Sequence, residues 1–236
     1  MQLPPLTHAR ILRRYQRFLA DVVLDSGENV TAHCPNTGSM TGCWAPQAPV
    51  QLSHSDNPRR KLAWTLERVD MGQGWVGVHT GRTNPVIEEG LNQGVIERLR
   101  GYKQVRREVN FEGVRDRSRF DFLLSDGDFA DAWVEVKNVT LWQESRLCFP
   151  DAVTQRGRKH LETLAEARGQ GYRGVMVYAL NRPEGQAFAP ADEIDPAYGE
   201  TLRRVVREAG VEVIALRIIH DETSMSVGEE IPVILS

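Results

Sequence analysis

The stretch DAWVEVKNVT, residues 131 to 140, carries the side chains of a β-strand and two charges in its middle. Trp133, Val134, Val136, Val139 and Thr140 are all β-favouring, yet Glu135 and Lys137 interrupt them. Successive strand side chains point to opposite faces. Glu135 and Lys137 therefore share a face with Trp133 and Val139, while Ala132, Val134 and Val136 line the other. A carboxylate and an ammonium two residues apart in an apolar strand need a reason, because buried charge without a partner is costly.

Just upstream, SRFDFLLS (118–125) places Asp121 in a second apolar strand, and the intervening DGD is turn chemistry. If the two strands pair as a hairpin, Asp121 and Glu135 meet across one face. Two carboxylates completed by waters and a substrate phosphate suit Mg²⁺ or Mn²⁺, hard ions that prefer oxygen ligands. Lys137 on the same face can orient an attacking water or stabilise charge developing on phosphorus. An isolated Glu-x-Lys is far more often an intrastrand surface pair. The context favours the site: an acid in one strand, Glu-x-Lys in the next, and a basic helical segment after it.

Working outward, residues 1–80 read as short strands divided by turns: RFLADVVL, NVTAHC, APVQLS, KLAWTLERV and GWVGVH. Five such runs with glycine-rich corners suggest a closed barrel of the oligonucleotide-binding (OB) kind, a sandwich being the alternative. Residues 81–236 change grammar. NPVIEEGLNQGVIERL predicts a helix capped by Asn84 with Pro85 at its first position, and three strand-like segments follow. A helix near PDAVTQRGRKHLETLAEA has Asp151 as its expected N-cap. Then come the buried run GVMVYAL, a helix ending at Gly210 and the strand VEVIALRII. The order predicts a mixed α+β fold, a sheet of mixed direction flanked by helices.

With 29 Lys and Arg against 32 Asp and Glu, the net charge is −3, so the chain as a whole is no basic nucleic-acid binder. Its positive charge is clustered instead, at Arg10, Arg13, Arg14 and Arg17, at Arg59, Arg60 and Lys61, from Arg98 to Arg107, and in QRGRKH at Arg156, Arg158, Lys159 and His160. Such clusters can form local phosphate-binding surfaces, and each alone is also consistent with a solvated face. Tyr15 and Phe18, beside the first cluster, could stack on bases, although Phe18 reads as barrel core. The loop HCPNTGSMTG offers the backbone amides of Asn36, Thr37, Gly38 and Ser39 as a phosphate cradle, a plain turn being the bland equivalent. Three cysteines are too few and too odd a set for a disulfide framework, and no run has the length of a membrane span. The expected location is the cytoplasm, with no membrane partner.

The segments with Asp121, Glu135 and Lys137 resemble the PD-(D/E)XK nuclease superfamily, where they match the two acids and the lysine by motif position. The resemblance implies a further metal-binding carboxylate from the first helix, for which Glu89, or less readily Glu88, is available. It also implies a glutamine or basic residue from the helix after the lysine strand, for which Gln155, Arg158 and Lys159 stand ready. RRYQRFLADV, HCPNTGSMTGC, SDNPRRKLAWTLE, VEVKNVTL, FPDAVTQRGRKHL and FAPADEIDP together resemble the sugar fermentation stimulation protein A (SfsA) family along the whole chain. That resemblance implies an N-terminal OB-like domain, a C-terminal nuclease-like domain and DNA binding with little sequence preference.

The expectation is thus a DNA-binding protein with Mg²⁺-dependent phosphodiester hydrolysis. Asp121 and Glu135 hold the ion, Lys137 assists, and Arg13, Arg14, Arg17, Arg59, Arg60, Lys61, Gln155, Arg158 and Lys159 contact the nucleic acid. The alternative is a DNA-binding regulator of sugar, particularly maltose, fermentation genes that keeps the nuclease scaffold unused. Domains of this kind often act in pairs when both strands are cut, which makes a homodimer a candidate assembly.

Overall fold

The computed structural model describes residues 1–113 and 117–236. The N-terminal barrel comprises β1 (Leu6–Tyr15), β2 (Leu19–Leu24), β3 (Asn29–His33), β4 (Pro49–His54) and β5 (Trp64–Asp70). They run in the order β3-β2-β1-β4-β5, and a parallel pairing of β3 with β5 at Ala32 and Trp64 closes the ring. Closure joins the two outer strands of the five-strand ring to each other. Ile11, Val22, Ala32, Leu52 and Leu66 fill the interior.

The composition of the ring corrects the sequence reading. β1 was not among the expected strands, because Arg10, Arg13 and Arg14 mask the inward alternation of Ala9 and Ile11. GWVGVH instead supplies β6 (Trp75–Gly77), which hangs on the outer side of β5.

Next come α1 (Thr83–Asn92), β7 (Tyr102–Glu112), β8 (Arg117–Gly127), β9 (Ala132–Val139), β10 (Leu141–Gln143), β11 (Arg146–Phe149) and α2 (Gln155–Gly169). The chain ends with β12 (Arg173–Leu180), β13 (Phe188–Pro190), α3 (Pro196–Ala209), β14 (Glu212–His220) and β15 (Met225–Glu230). The main sheet has the order β15-β14-β12-β9-β8-β7, antiparallel at both edges and parallel across β9, β12 and β14. β12 lies at its middle, buried from Gly174 to Leu180, as its continuous apolar run requires. α1 packs Val86, Ile87 and Leu91 on one face of the sheet. On the other face, α2 contributes Leu161 and Leu164 and α3 contributes Tyr198 and Leu202.

Two helix starts differ from expectation. α1 begins at Thr83, so Asn84 lies inside its first turn and its side chain is released for another task. α2 is capped by Thr154, whose hydroxyl accepts from Gly157 N–H, while Asp151 turns toward the barrel. The third helix ends as expected, with Gly210 in the left-handed region at φ 69°.

Barrel and sheet are joined by a buried arginine. Arg68 on β5 donates to Gln51 Oε1 and, at 2.6 Å each, to the carbonyls of Asp221 and Glu222 beyond β14. Beside it, Gly77 N–H donates to Asn181 O, and His220 and Asn181 pack so closely that only a glycine fits. Among the described residues no helix is long and apolar enough to cross a membrane.

Candidate active site

β7 and β8 pair as Arg107 with Phe122 and Val109 with Phe120, a register that sets Glu108 opposite Asp121. Glu108 has φ 52°, a conformation that costs a non-glycine residue on the order of 1 kcal/mol. Strand alternation breaks at the same level. Phe122 and Leu124 enter the core on the α1 face, whereas Phe120 enters the core on the α2 face. The hairpin is therefore kinked at Asp121.

β8 pairs with β9 from Leu124–Ala132 to Phe122–Val134, and the recorded ladder stops there. The next β9 donor, Val136 N–H, is taken by Asp121 Oδ2 at 2.8 Å. Asp121 Oδ1 accepts from Asn84 Nδ2 at 2.7 Å. The carboxylate is thus fixed from α1 and from β9, and Asn84 serves as its positioning residue rather than as a helix cap. Burial, reinforced by the negative charge of Glu135, pushes Asp121 above the ordinary carboxylate value, against the two hydrogen bonds and Lys137.

Glu135 and Lys137 lie on the face read from the sequence, with Trp133 and Val139. Glu135 Oε1 accepts from Lys137 Nζ at 2.5 Å and from His160 Nδ1. Arg156 Nε donates to His160 Nε2 at 3.3 Å, so the ring proton belongs on Nδ1, aimed at Glu135. Burial alone would raise Glu135, but His160 and Lys137 outweigh it and hold the carboxyl below its ordinary value. Its second oxygen, Oε2, is buried with no hydrogen-bond partner. A buried carboxylate oxygen left in this way calls for a missing cation or donor.

His160 was read from the sequence only as a member of the fourth basic cluster, not as a partner of Glu135. The signal was the apolar stripe Gly157, His160, Leu161 and Leu164 at helical spacing, which carries the imidazole on the buried face of α2. The residues expected there lie elsewhere. Gln155 and Lys159 are exposed, and Arg158 pairs with Asp195 at the cap of α3.

Glu89 is not brought to the pair either. Its carboxylate receives the α-amino group of Met1, which also donates to Met225 O on β15. Glu88, four residues after Asn84 and thus on its side of α1, is bound by Arg107 at 3.1 Å. Among the described residues no three His, Cys, Asp or Glu side chains gather at metal-binding range.

The basic residues do not form one surface. Arg13 pairs with Asp21 and lies over Tyr15. Arg14 is turned inward, donating from Nη2 to the carbonyls of Arg17, Asn36 and Gly38. Arg17 is exposed in the β1–β2 turn. Arg59, Arg60 and Lys61 are exposed in the connection that leaves β4 where Ser53 pairs with Leu6, at the opposite end of β1, and Arg60 bonds Thr65.

The expected phosphate cradle is already occupied. Ser39 N–H and Oγ both donate to Asp151 Oδ2, at 3.0 and 3.3 Å, Gly38 N–H is taken by Asn36 Oδ1, and a Cβ on Gly38 would come within 2.3 Å of that Asp151 oxygen. The loop binds an anion as its amides suggest, but the anion is the protein's own carboxylate.

Two family models match this chain. Residues 12–78 match the SfsA N-terminal OB domain, and residues 81–224 match the sugar fermentation stimulation protein RE domain. The sugar fermentation stimulation protein homolog of Geobacter metallireducens is 49% identical over 236 residues, covering 100% of both chains. That of Geobacter sulfurreducens is 48% identical, covering 99% of both. A solved structure described as Pyrococcus furiosus SfsA in complex with Ca²⁺ superposes with a TM-score of 0.85 at 24% identity, over 99% of this chain and 97% of that one, and so shares the fold. With both of its parts matched and relatives of nearly half identity along its full length, the chain belongs to the sugar fermentation stimulation protein (SfsA) family.

Proposed function

We propose that the protein binds DNA with little sequence preference and hydrolyses phosphodiester bonds with Mg²⁺ or Mn²⁺ held by Asp121 and Glu135. The observation that carries this reading is the buried, partnerless Glu135 Oε2 near a second, half-buried carboxylate, Asp121, whose proton affinity is raised by burial and by the Glu135 charge. Two carboxylate side chains fit such an ion, which commonly takes one or two from the protein and completes its shell with water and substrate phosphate. The Pyrococcus furiosus relative was solved with Ca²⁺, a hard ion of the same oxygen preference.

When bound, the ion supplies Lewis-acid polarisation of the phosphate and acidifies water. The chain does the rest. Asn84 and Val136 N–H fix Asp121, and His160 holds Glu135 Oε1, leaving the buried Oε2 as the oxygen without a partner. Lys137 holds an ammonium 2.5 Å from Glu135, where it can stabilise negative charge growing on phosphorus or orient the attacking water. Arg17, Gln155 and Lys159 are exposed for phosphate contacts, and Arg59 to Lys61 offer a separate contact at the far end of β1.

The test is titration of the purified protein with Mn²⁺ followed by electron paramagnetic resonance, comparing Asp121→Ala and Glu135→Ala. Saturable binding lost in both variants supports the assignment. Binding that survives both removes the ion from this site.

A further inference from the structure

We infer that the groove between barrel and sheet carries a single strand of DNA and that Phe18 is the post on which an unpaired base stacks; this rests on the DNA-binding reading above. Two cavities lie between the halves of the molecule. One, of about 240 Å³, is lined by Asn36, Thr37 and Gly38 of the barrel and by Asn138 and Asp151. The other, of about 390 Å³, is lined by Thr83, Asn84, Arg107, Val136 and Asn138. Thr80 and Asn138 line both, so the two are successive reaches of one groove. Its second reach passes Asn84 and Val136, the two residues that hold Asp121.

The lining suits a strand whose bases and sugars are exposed. Hydroxyls and amides such as those of Thr37, Thr80 and Asn138 are interspersed with Leu141 and Phe149. Its charged residues are Asp151, met by Ser39, at one end and Glu108 with Arg107, itself paired with Glu88, at the other. Asn138 Oδ1 is fully engaged, accepting from Thr83 Oγ1 at 2.9 Å and Asn181 Nδ2 at 2.6 Å, which leaves its own amide hydrogens for a ligand.

The barrel end of the groove carries the post. Gln16 and Arg17 open the β1–β2 turn, which ends at Phe18, with φ 49° and 66°, a left-handed backbone that glycine and asparagine adopt most readily. Retaining two large polar side chains there costs stability, which points to use of what the turn presents. Arg14 braces the turn against the groove wall by binding the carbonyls of Arg17, Asn36 and Gly38 together. On the far side Phe18 O accepts from Cys34 N–H at 2.7 Å. The Phe18 ring, read from the sequence as barrel core, is instead 45% exposed. An exposed aromatic next to Arg17, whose carbonyl Arg14 ties to those of the groove-lining Asn36 and Gly38, can stack on an unpaired base of any identity. Paired bases stack on one another inside a duplex and offer Phe18 no face.

The experiment is fluorescence anisotropy of the full chain, without divalent metal, on a labelled 20-nucleotide oligothymidylate and on a blunt duplex. Phe18→Ala, an exposed site, should melt as wild type. It should bind the single strand roughly 5- to 150-fold more weakly, the loss expected for one base–aromatic stack, with duplex affinity unchanged. Phe18→Trp should retain single-strand affinity. An unchanged single-strand affinity in Phe18→Ala, or an equal loss on both substrates, overturns the inference while leaving DNA binding itself intact. No binding of either DNA by wild type overturns both this inference and the reading it rests on.

Discussion

The hydrogen bond from His160 to Glu135 separates two roles for the imidazole that ordinary truncation would confuse. In asparagine the amide nitrogen falls about where Nδ1 sits, and in glutamine the amide group reaches about where Nε2 sits, where its oxygen can accept from Arg156. His160→Asn therefore keeps the donor to Glu135 Oε1 and gives up the contact with Arg156, while His160→Gln does the reverse. A hydrogen bond to a buried carboxylate contributes about 2 kcal/mol, so losing it should weaken metal binding roughly 30-fold. The contact with Arg156 is long at 3.3 Å, and its loss should cost about threefold or less. Isothermal titration with Mn²⁺ measures both, and thermal melting checks that each variant folds. The account expects His160→Asn near wild type and His160→Gln near His160→Ala. Equal affinities for the asparagine and glutamine variants would refute it, since the ring would then act only by filling space.

Four further outcomes follow from the geometry. His220 is half-buried beside Arg68, Asp221 and Asn181, and this burial with the Arg68 charge pushes it down to about 4. A depressed histidine binds its proton more weakly when folded, so its contribution is intact above pH 6.5 and is lost as pH falls toward 4. Urea denaturation should show about 2 kcal/mol of this loss at pH 5, absent in His220→Gln. Gly77→Ala places a Cβ 2.5 Å from His220 Cε1 and should cost about 2–3 kcal/mol by the same method. At Glu108, with its φ of 52°, Glu108→Gly should leave the melting temperature unchanged, while the β-branched Glu108→Val should lower stability by about 2 kcal/mol. DNA affinity measured between 50 and 200 mM salt should fall steeply, and a flat response would rule out phosphate contacts as its main source.

Glu135 and Lys137 were legible as a same-face pair because strand alternation fixes faces, and two charges within an apolar β-run stand out as a conflict that needs a partner. Asp121 was legible as an acid in the neighbouring strand, but not the way it is held. The kink at Glu108 is a tertiary feature, and the side chain that takes Val136 N–H in place of the ladder leaves no local trace. Asn84 and Asp151 misled for one reason: a short polar side chain near a helix start reads as a cap, and here tertiary partners, Asp121 and Ser39, took both. The arginines of β1 misled in the opposite sense, since their charge hid the strand that completes the barrel. Glu89 was offered for the carboxylate that the resemblance implies on the first helix, but the 100° turn per residue of a helix separates it from the side that Asn84 shares with Glu88.

The most direct test of the metal and phosphate site is incubation of supercoiled and single-stranded DNA with the protein in Mg²⁺, Mn²⁺ or EDTA, alongside Glu135→Ala and Lys137→Ala. The account requires cleavage that needs the metal and disappears in both variants. DNA that is bound yet left whole under every metal condition would contradict it, and the same residues would then belong to a binding protein built on a nuclease-like scaffold.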